Sequence, residues 1–213
     1  AIMILATINV VYGAFIALIQ TDFKYVIGFS SVSHMGLVLI GFATLNREGL
    51  IGAGMQMFSH GVMTALFFSV VGMVYDRAHT RELSQLGGLF RKMPIAAVGF
   101  IIGGLVSMGM PGFSGFVAEF PLYMGVWQVQ PVVAVIAILG VLITAAYILL
   151  VVRRVFFGEL PEALSNIGDV TLKDKISTIL LAAIMIALGI FPSLMAPMIS
   201  SGVDHILALL GGA

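Results

Sequence analysis

Long apolar stretches separated by short charged connections run the length of this chain. Residues 1–21, 25–46, 49–75, 93–152 and 176–203 contain no Asp, Glu, Lys or Arg apart from Glu119. A helix needs about 20 apolar residues to cross the hydrocarbon core of a bilayer. The fourth stretch is long enough for two such helices, and the polar "QVQP" at 128–131 divides it. The pattern therefore predicts six spans, over about 2–20, 25–45, 50–75, 94–127, 131–152 and 176–198. All six are expected to be helical, because an open strand leaves its backbone polar groups unsatisfied in lipid. The predicted fold class is an all-α membrane protein with a single membrane domain over residues 1–213. The polar segments 76–92 and 153–175 are read as connections, and no repeat or low-complexity tract stands out. The chain starts inside a span and lacks the basic leader of a signal peptide, so the expectation is a fragment or an internally started chain.

Composition sharpens this picture. Of 213 residues, 60% are hydrophobic and 9% charged, far from the usage of a soluble domain. Ten basic residues balance ten acidic ones, so the charge gives no indication of nucleic-acid binding. Without cysteine, disulfides, Cys-ligated iron–sulfur clusters and Cys-based zinc sites are excluded. Two histidines without Cys or paired carboxylates make a poor metal site, so no metal is expected.

Charge position carries more information than charge total. Lys24 lies in the first connection, Arg47 in the second, Arg77, Arg81, Arg91 and Lys92 in the third, and Arg153, Arg154, Lys173 and Lys175 in the fifth. Alternate connections share a side, which puts nine basic residues on one face and one on the other. The basic face is expected to be cytoplasmic. The C-terminus is then expected on the non-cytoplasmic side.

Ionisable groups within spans are costly and face the protein interior or water. Glu119, His34 and His60 are the three in question. Ser30 and His34 stand four residues apart in "FSSVSHMG", and Gln56, His60 and Thr64 follow at four-residue steps in "QMFSHGVMT", so each set shares a helical face. Two readings are open: hydrogen bonds that glue helices together, or a proton relay, for which imidazole has a suitable unperturbed pKa of about 6.5. Glu119 follows "GMPGFSG", in which Pro111 removes a backbone donor and Gly109, Gly112 and Gly115 permit non-helical backbone. A helix broken near 111–115 and resumed at Phe116 is expected, of the kind that marks ion sites in transporters. Lys24, at a span boundary, can snorkel to the interface. Solvated, mutually paired charges are expected for Asp22, Asp76, Arg77, His79, Arg81 and Glu82.

"QTDFKYVIGFSSVSHMGLVLIGF", "QMFSHGVMTALFFSVVGMVYDRAHTRELSQLGGLFRKMP" and "MGMPGFSGFVAEF" together resemble the antiporter-like membrane subunit M (chain 4) of proton-pumping NADH:quinone oxidoreductase, respiratory complex I. The resemblance runs across nearly the whole chain. It implies a C-terminal part of a fourteen-helix subunit, comprising the second of two inverted five-helix repeats and the last helix, with the discontinuous helix around Pro111. Glu119 matches the acidic residue that subunit M has on that helix, where subunits L and N have lysine. His34 and His60 match the histidines of a polar axis for protons. Gln56, His60 and Thr64 depart from the His-x-x-x-His-x-x-x-Lys stripe of subunit L.

The same resemblance implies a proton-translocating part of an enzyme complex in an energy-transducing membrane, the bacterial cytoplasmic membrane in the first instance. Other complex I membrane subunits, the lipid bilayer and protons are the implied partners. This chain is expected to hold no cofactor; FMN, iron–sulfur clusters and quinone belong to partner subunits. Glu119 is assigned as a switchable proton site and His60 and His34 as relay members. Gln56, Thr64, Ser30, Ser107 and Tyr147 have secondary places, and Lys24 stands at the cytoplasmic end of the path. The rival readings are a D-type subunit of a multisubunit sodium/proton antiporter, the membrane arm of a hydrogenase-linked complex, and a non-conducting scaffold.

Overall fold

The uncharged stretches become helices in a computed structural model that describes residues 1–211. In chain order these are α1 (Ile2–Ile19), α2 (Phe23–Ala43), α3 (Arg47–Ala78), α4 (Pro94–Ser107), α5 (Ser114–Val129), α6 (Pro131–Val151), α7 (Leu172–Ile190) and α8 (Ala196–Leu209). Their starts follow local chemistry. The Asp22 carboxylate accepts from the Lys24 and Tyr25 amides at the head of α2, and the Asn46 side chain caps α3. Thr171 and Asp174 form a reciprocal capping box on α7. Pro94 and Pro131 open α4 and α6, where the missing N–H costs nothing. The end of α6 widens into a π-helical turn over Val152–Phe156.

Among the described residues, four helices are long and apolar enough to cross a membrane: α1, α2, α3, and α6 with its π turn. The expected span 94–127 is instead two half-helices, α4 and α5, of 14 and 16 residues. Each is about 21–24 Å long and too short to span alone. The break covers 108–113, slightly earlier than expected, and α5 begins at Ser114 rather than Phe116, with Gly115 inside it. The last expected span also ends early. Helix α7 stops at Ile190 because Pro192 forces Phe191 out of helical geometry, and a separate α8 follows. Apolar composition continues through 198, so hydropathy could not reveal this stop.

Loop contacts define the two faces. The first connection pairs with the third through Phe23 N–H to the Arg81 carbonyl (2.8 Å), Leu83 N–H to the Thr21 carbonyl (2.8 Å) and an Arg81–Asp22 ion pair. The third reaches the fifth through Arg77 to Asp174 (3.1 Å) and Lys92 Nζ to the Ser165 carbonyl (2.6 Å). In the fifth, Lys175 lies 2.6 Å from Asp169 and holds that carboxyl below its ordinary range. On the opposite face Asn46 donates to the Gly125 carbonyl (2.7 Å), and Arg47 makes a two-point contact with Asp204 of α8. The basic connections therefore share one face, and α8 lies on the other.

The surface is apolar and the polar side chains are inside. Ile4, Ile8, Phe15, Leu142 and Leu149 are more than half exposed, whereas Ser30, His34, Gln56, Ser59, His60, Ser107, Ser114, Glu119 and Thr144 are buried. Water would penalise this inversion; lipid does not. At the basic end an aromatic cluster of Phe23, Phe67, Phe100 and Phe156, with centroids 4.7–6.4 Å apart, locks α2, α3, α4 and the π turn together.

Candidate functional site

The polar interior collects around the α4–α5 break. Gly109 and Gly112 adopt φ of +62° and +91°, the left-handed region that other residues enter only with strain. Pro111 between them lacks a donor and pushes Met110 away from helical backbone. Glu119 is the sixth residue of α5, beyond the break rather than at the helix terminus. Helical side chains tilt toward the N-terminus, so its carboxylate reaches back beneath the break. A methyl placed on Gly109 would lie 2.7 Å from Glu119 Oε2. The carboxylate is 3% exposed; Gln56 Nε2 of α3 donates to its Oε1 at 3.1 Å and the Tyr123 hydroxyl to its Oε2 at 3.5 Å. Beside it a cleft of about 310 Å³ opens between α5 and α6, lined by Met108, Phe116, Phe120, Tyr123, Leu139 and Leu142 among others.

The other end of the break holds His34. Ending α4 at Ser107 frees carbonyls that have no intrahelical donor, and the Ser107 carbonyl sits 3.2 Å from His34 Nε2. His34 Nδ1 is 2.9 Å from the Ser30 carbonyl, which only accepts, so Nδ1 carries the hydrogen. The Ser107 hydroxyl lies 3.4 Å from the same Nε2. Neutral His34 accepts from that hydroxyl; imidazolium donates to the carbonyl. Both charge states find partners without moving the ring.

His60 stacks on His34, with centroids 5.4 Å apart and ring planes at 22°. Two charges that close in a low-dielectric interior repel strongly, so the pair does not hold two protons at once. His60 Nε2 meets the Ser31 hydroxyl at 2.8 Å. His60 Nδ1 and Gln56 Oε1 are buried and have no hydrogen-bond partner among the described residues. They are four residues apart, about 6 Å along one face of α3. Buried polar atoms in such positions are satisfied by ordered water.

Of the residues singled out by sequence, Glu119 and Gln56 are in contact, and His34, His60, Ser30 and Ser107 form a second group. Tyr147 joins this group: its hydroxyl is 2.8 Å from Ser30 Oγ and 3.3 Å from Thr144 Oγ1. Thr64 and Lys24 are not brought in. The Thr64 hydroxyl donates to the His60 carbonyl of its own helix at 2.7 Å. Lys24 is exposed at the start of α2, ten residues or about 15 Å along the helix from His34. The sequence reading passed over Tyr123, Ser31, and the buried Ser59–Ser114 pair (2.8 Å), which fixes the first residue of α5 to α3. Tyr123 was available from its i+4 spacing to Glu119. Ser31 and Ser114 carried no signal before the helices were placed together. No three His, Asp or Glu side chains converge as a metal site among the described residues.

Comparison with known proteins places this architecture. A family model described as NADH:quinone oxidoreductase/Mrp antiporter, TM, matches residues 1–144. NADH-quinone oxidoreductase subunit M of Rhodobacter capsulatus is 42% identical over 207 residues, covering 97% of this chain and 40% of the relative. F(420)H(2) dehydrogenase subunit M of Methanosarcina mazei is 36% identical over 209 residues, covering 98% and 42%. A chain of respiratory complex I from Thermus thermophilus superposes with a TM-score of 0.92 at 30% identity, covering 99% of this chain and 44% of that one. A chain of the Mrp complex from Dietzia shares the fold, with a TM-score of 0.86 at 22% identity over 94% and 46% of the two chains. This chain thus spans less than half the length of the relatives it matches. With a family model matched over residues 1–144 and relatives 36–42% identical over nearly the whole chain, the chain belongs to the NADH:quinone oxidoreductase/Mrp antiporter transmembrane family.

Proposed function

We propose that this chain is the second five-helix repeat and last helix of an M-type, proton-translocating subunit of NADH:quinone oxidoreductase. The observation that carries the reading is Glu119, a buried carboxylate held by Gln56 and Tyr123 under a helix break whose other end engages the stacked histidine pair. In this reading α4 and α5 act as one discontinuous span, giving six in all. A proton on Glu119 passes by water along α3 to His60, and from the histidine pair through the Ser107 hydroxyl to Tyr147, Ser30 and Thr144. Ser107 and His34 exchange hydrogen-bond roles as the charge arrives and leaves.

Electron transfer belongs to partner subunits, which carry the flavin, iron–sulfur and quinone chemistry. The similarity to both an NADH-quinone and an F(420)H(2) dehydrogenase subunit leaves the electron donor to those partners. The membrane is the bacterial cytoplasmic membrane, with the basic face inward and α8 outside. A sodium/proton antiporter reading has fold likeness in its favour, but Glu119 stands where that reading expects lysine.

Glu119→Gln tests the proposal in the assembled complex. Its amide keeps the side chain's shape and a hydrogen bond to Gln56 but cannot take and release a proton. Coupled quinone reduction and proton uptake in sealed vesicles are expected to fall by tenfold or more, on the order of 1.4 kcal/mol or above in barrier, while assembly is retained. Glu119→Asp should retain part of the activity. Full activity of a fully assembled Glu119→Gln complex would refute the role.

A further inference from the structure

We propose that the groove between the start of α2 and the last turns of α3 is a binding site for an anionic phospholipid. Its walls are Lys24, Phe68, Val71, Gly72, Tyr75 and Arg81, enclosing about 310 Å³. Phe68, Val71, Gly72 and Tyr75 recur at helical spacing and form one strip of α3. Within the strip, the space in front of Gly72 is open, with no atom within 4 Å of where a Cβ would stand. Phe68 and Tyr75 flank that opening at 39% and 46% exposure. The result is an apolar groove running along a membrane-spanning helix.

Both cations sit at the end of this groove where the helices meet the basic face. The Arg81 guanidinium lies over the Tyr75 ring, 5.4 Å from its centroid, and its Nε is 3.3 Å from Asp22 Oδ2. The ring and the carboxylate fix its position and leave the terminal nitrogens for another acceptor. Lys24 is exposed, and no carboxylate lies within 4 Å of it among the described residues. Lys24 and Arg81 against Asp22 leave one net positive charge, which a single phosphodiester neutralises; Glu82, whose backbone bridges to Asp22, has its carboxylate beside the Ser84 hydroxyl and does not line the groove. Asp76 projects from the same end of α3 but does not line the groove. Phosphate at the level of Lys24 and Arg81 puts the glycerol beside Tyr75 and an acyl chain past Gly72 toward Phe68. Basic pockets between helices at a membrane face recognise anionic headgroups in this way. An ammonium-bearing zwitterionic headgroup gains less, because Asp22, the acidic group beside the cations, is already paired with Arg81.

The test uses the assembled membrane complex, delipidated and reconstituted with phosphatidylglycerol or phosphatidylcholine carrying a diazirine on one acyl chain. After photolysis, adducts are mapped by peptide mass spectrometry. In the wild type, phosphatidylglycerol is expected to label residues 68–75 about fivefold more than phosphatidylcholine, the factor that one basic residue contributes near an anionic charge. Lys24→Gln should bring that ratio to about one. Gly72→Leu fills the groove without altering charge and should suppress labelling by both lipids. Equal labelling by the two lipids in the wild type overturns the proposal. So does phosphatidylglycerol labelling that survives both substitutions, or cross-linking of residues 68–75 to a protein partner in place of lipid.

Discussion

Gly109→Ala separates the position of the Glu119 carboxylate from the mere presence of the helix break. Alanine at φ +62° costs about 1–2 kcal/mol in backbone strain. Its methyl also lands 2.7 Å from Glu119 Oε2, where ordinary contact begins at 3.4 Å, so the carboxylate must retreat by about 0.7 Å (3.4 − 2.7). A displacement of that size is enough to stretch the 3.1 Å bond from Gln56 past hydrogen-bonding range. Misplacing a reacting group by about 1 Å can cost 10²-fold in rate, so roughly a tenfold loss of coupled turnover is expected. Gly112→Ala is the matched control. It carries at least as much backbone strain, since φ +91° lies outside the small left-handed region an alanine can occupy, but nothing lies within 4 Å of the added methyl. Both variants should lower the thermal stability of the assembled complex, and Gly109→Ala alone should lose coupled quinone reduction beyond what reduced assembly explains. Turnover normalised to assembled complex, measured in sealed membranes alongside reduction of an artificial acceptor, decides between them. Equal normalised turnover in the two variants would refute the inferred seat of the carboxylate.

The same network sets further expectations. His60→Ala should impair proton pumping while leaving electron transfer to an artificial acceptor intact; unaltered coupled pumping would make His60 a packing residue. Ser30→Ala should cost about 1 kcal/mol and Tyr147→Phe somewhat more, because the latter also loses the bond to Thr144, and the double variant should cost no more than Tyr147→Phe alone, because both singles remove the same 2.8 Å bond; additive losses in thermal unfolding would contradict the pairing. Thr64→Val should leave pumping within error of the wild type, since that hydroxyl bonds only its own helix; a loss of pumping in a fully assembled complex would place Thr64 on the path after all.

Hydropathy alone was enough to make the chain a helical membrane protein, because a bilayer admits few ways to satisfy the backbone and each long span needs a long apolar run. It also exposed Glu119, since one carboxylate in an uncharged stretch of sixty residues (93–152) has no surface to explain it. The Gly109–Pro111–Gly112 cluster announced the break, through backbone preferences that act within a few residues. Pro192 likewise marked the end of α7 at Ile190 by a local backbone effect, although the apolar pattern continued unbroken past it. Other features were beyond one-dimensional reading. Thr64 shares the periodicity of Gln56 and His60, yet its hydroxyl turned back to its own helix, a choice that spacing does not make. Lys24 sat near the motif in sequence but at the far end of its helix in space. The pairing of Ser30 with Tyr147, 117 residues apart, and the stacking of His34 on His60 arise only when α2, α3 and α6 pack together. Sequence thus determined which side chains were too polar for lipid. Tertiary packing decided which of them meet, because a helix fixes the face a residue occupies and leaves its partner across the interface to the fold.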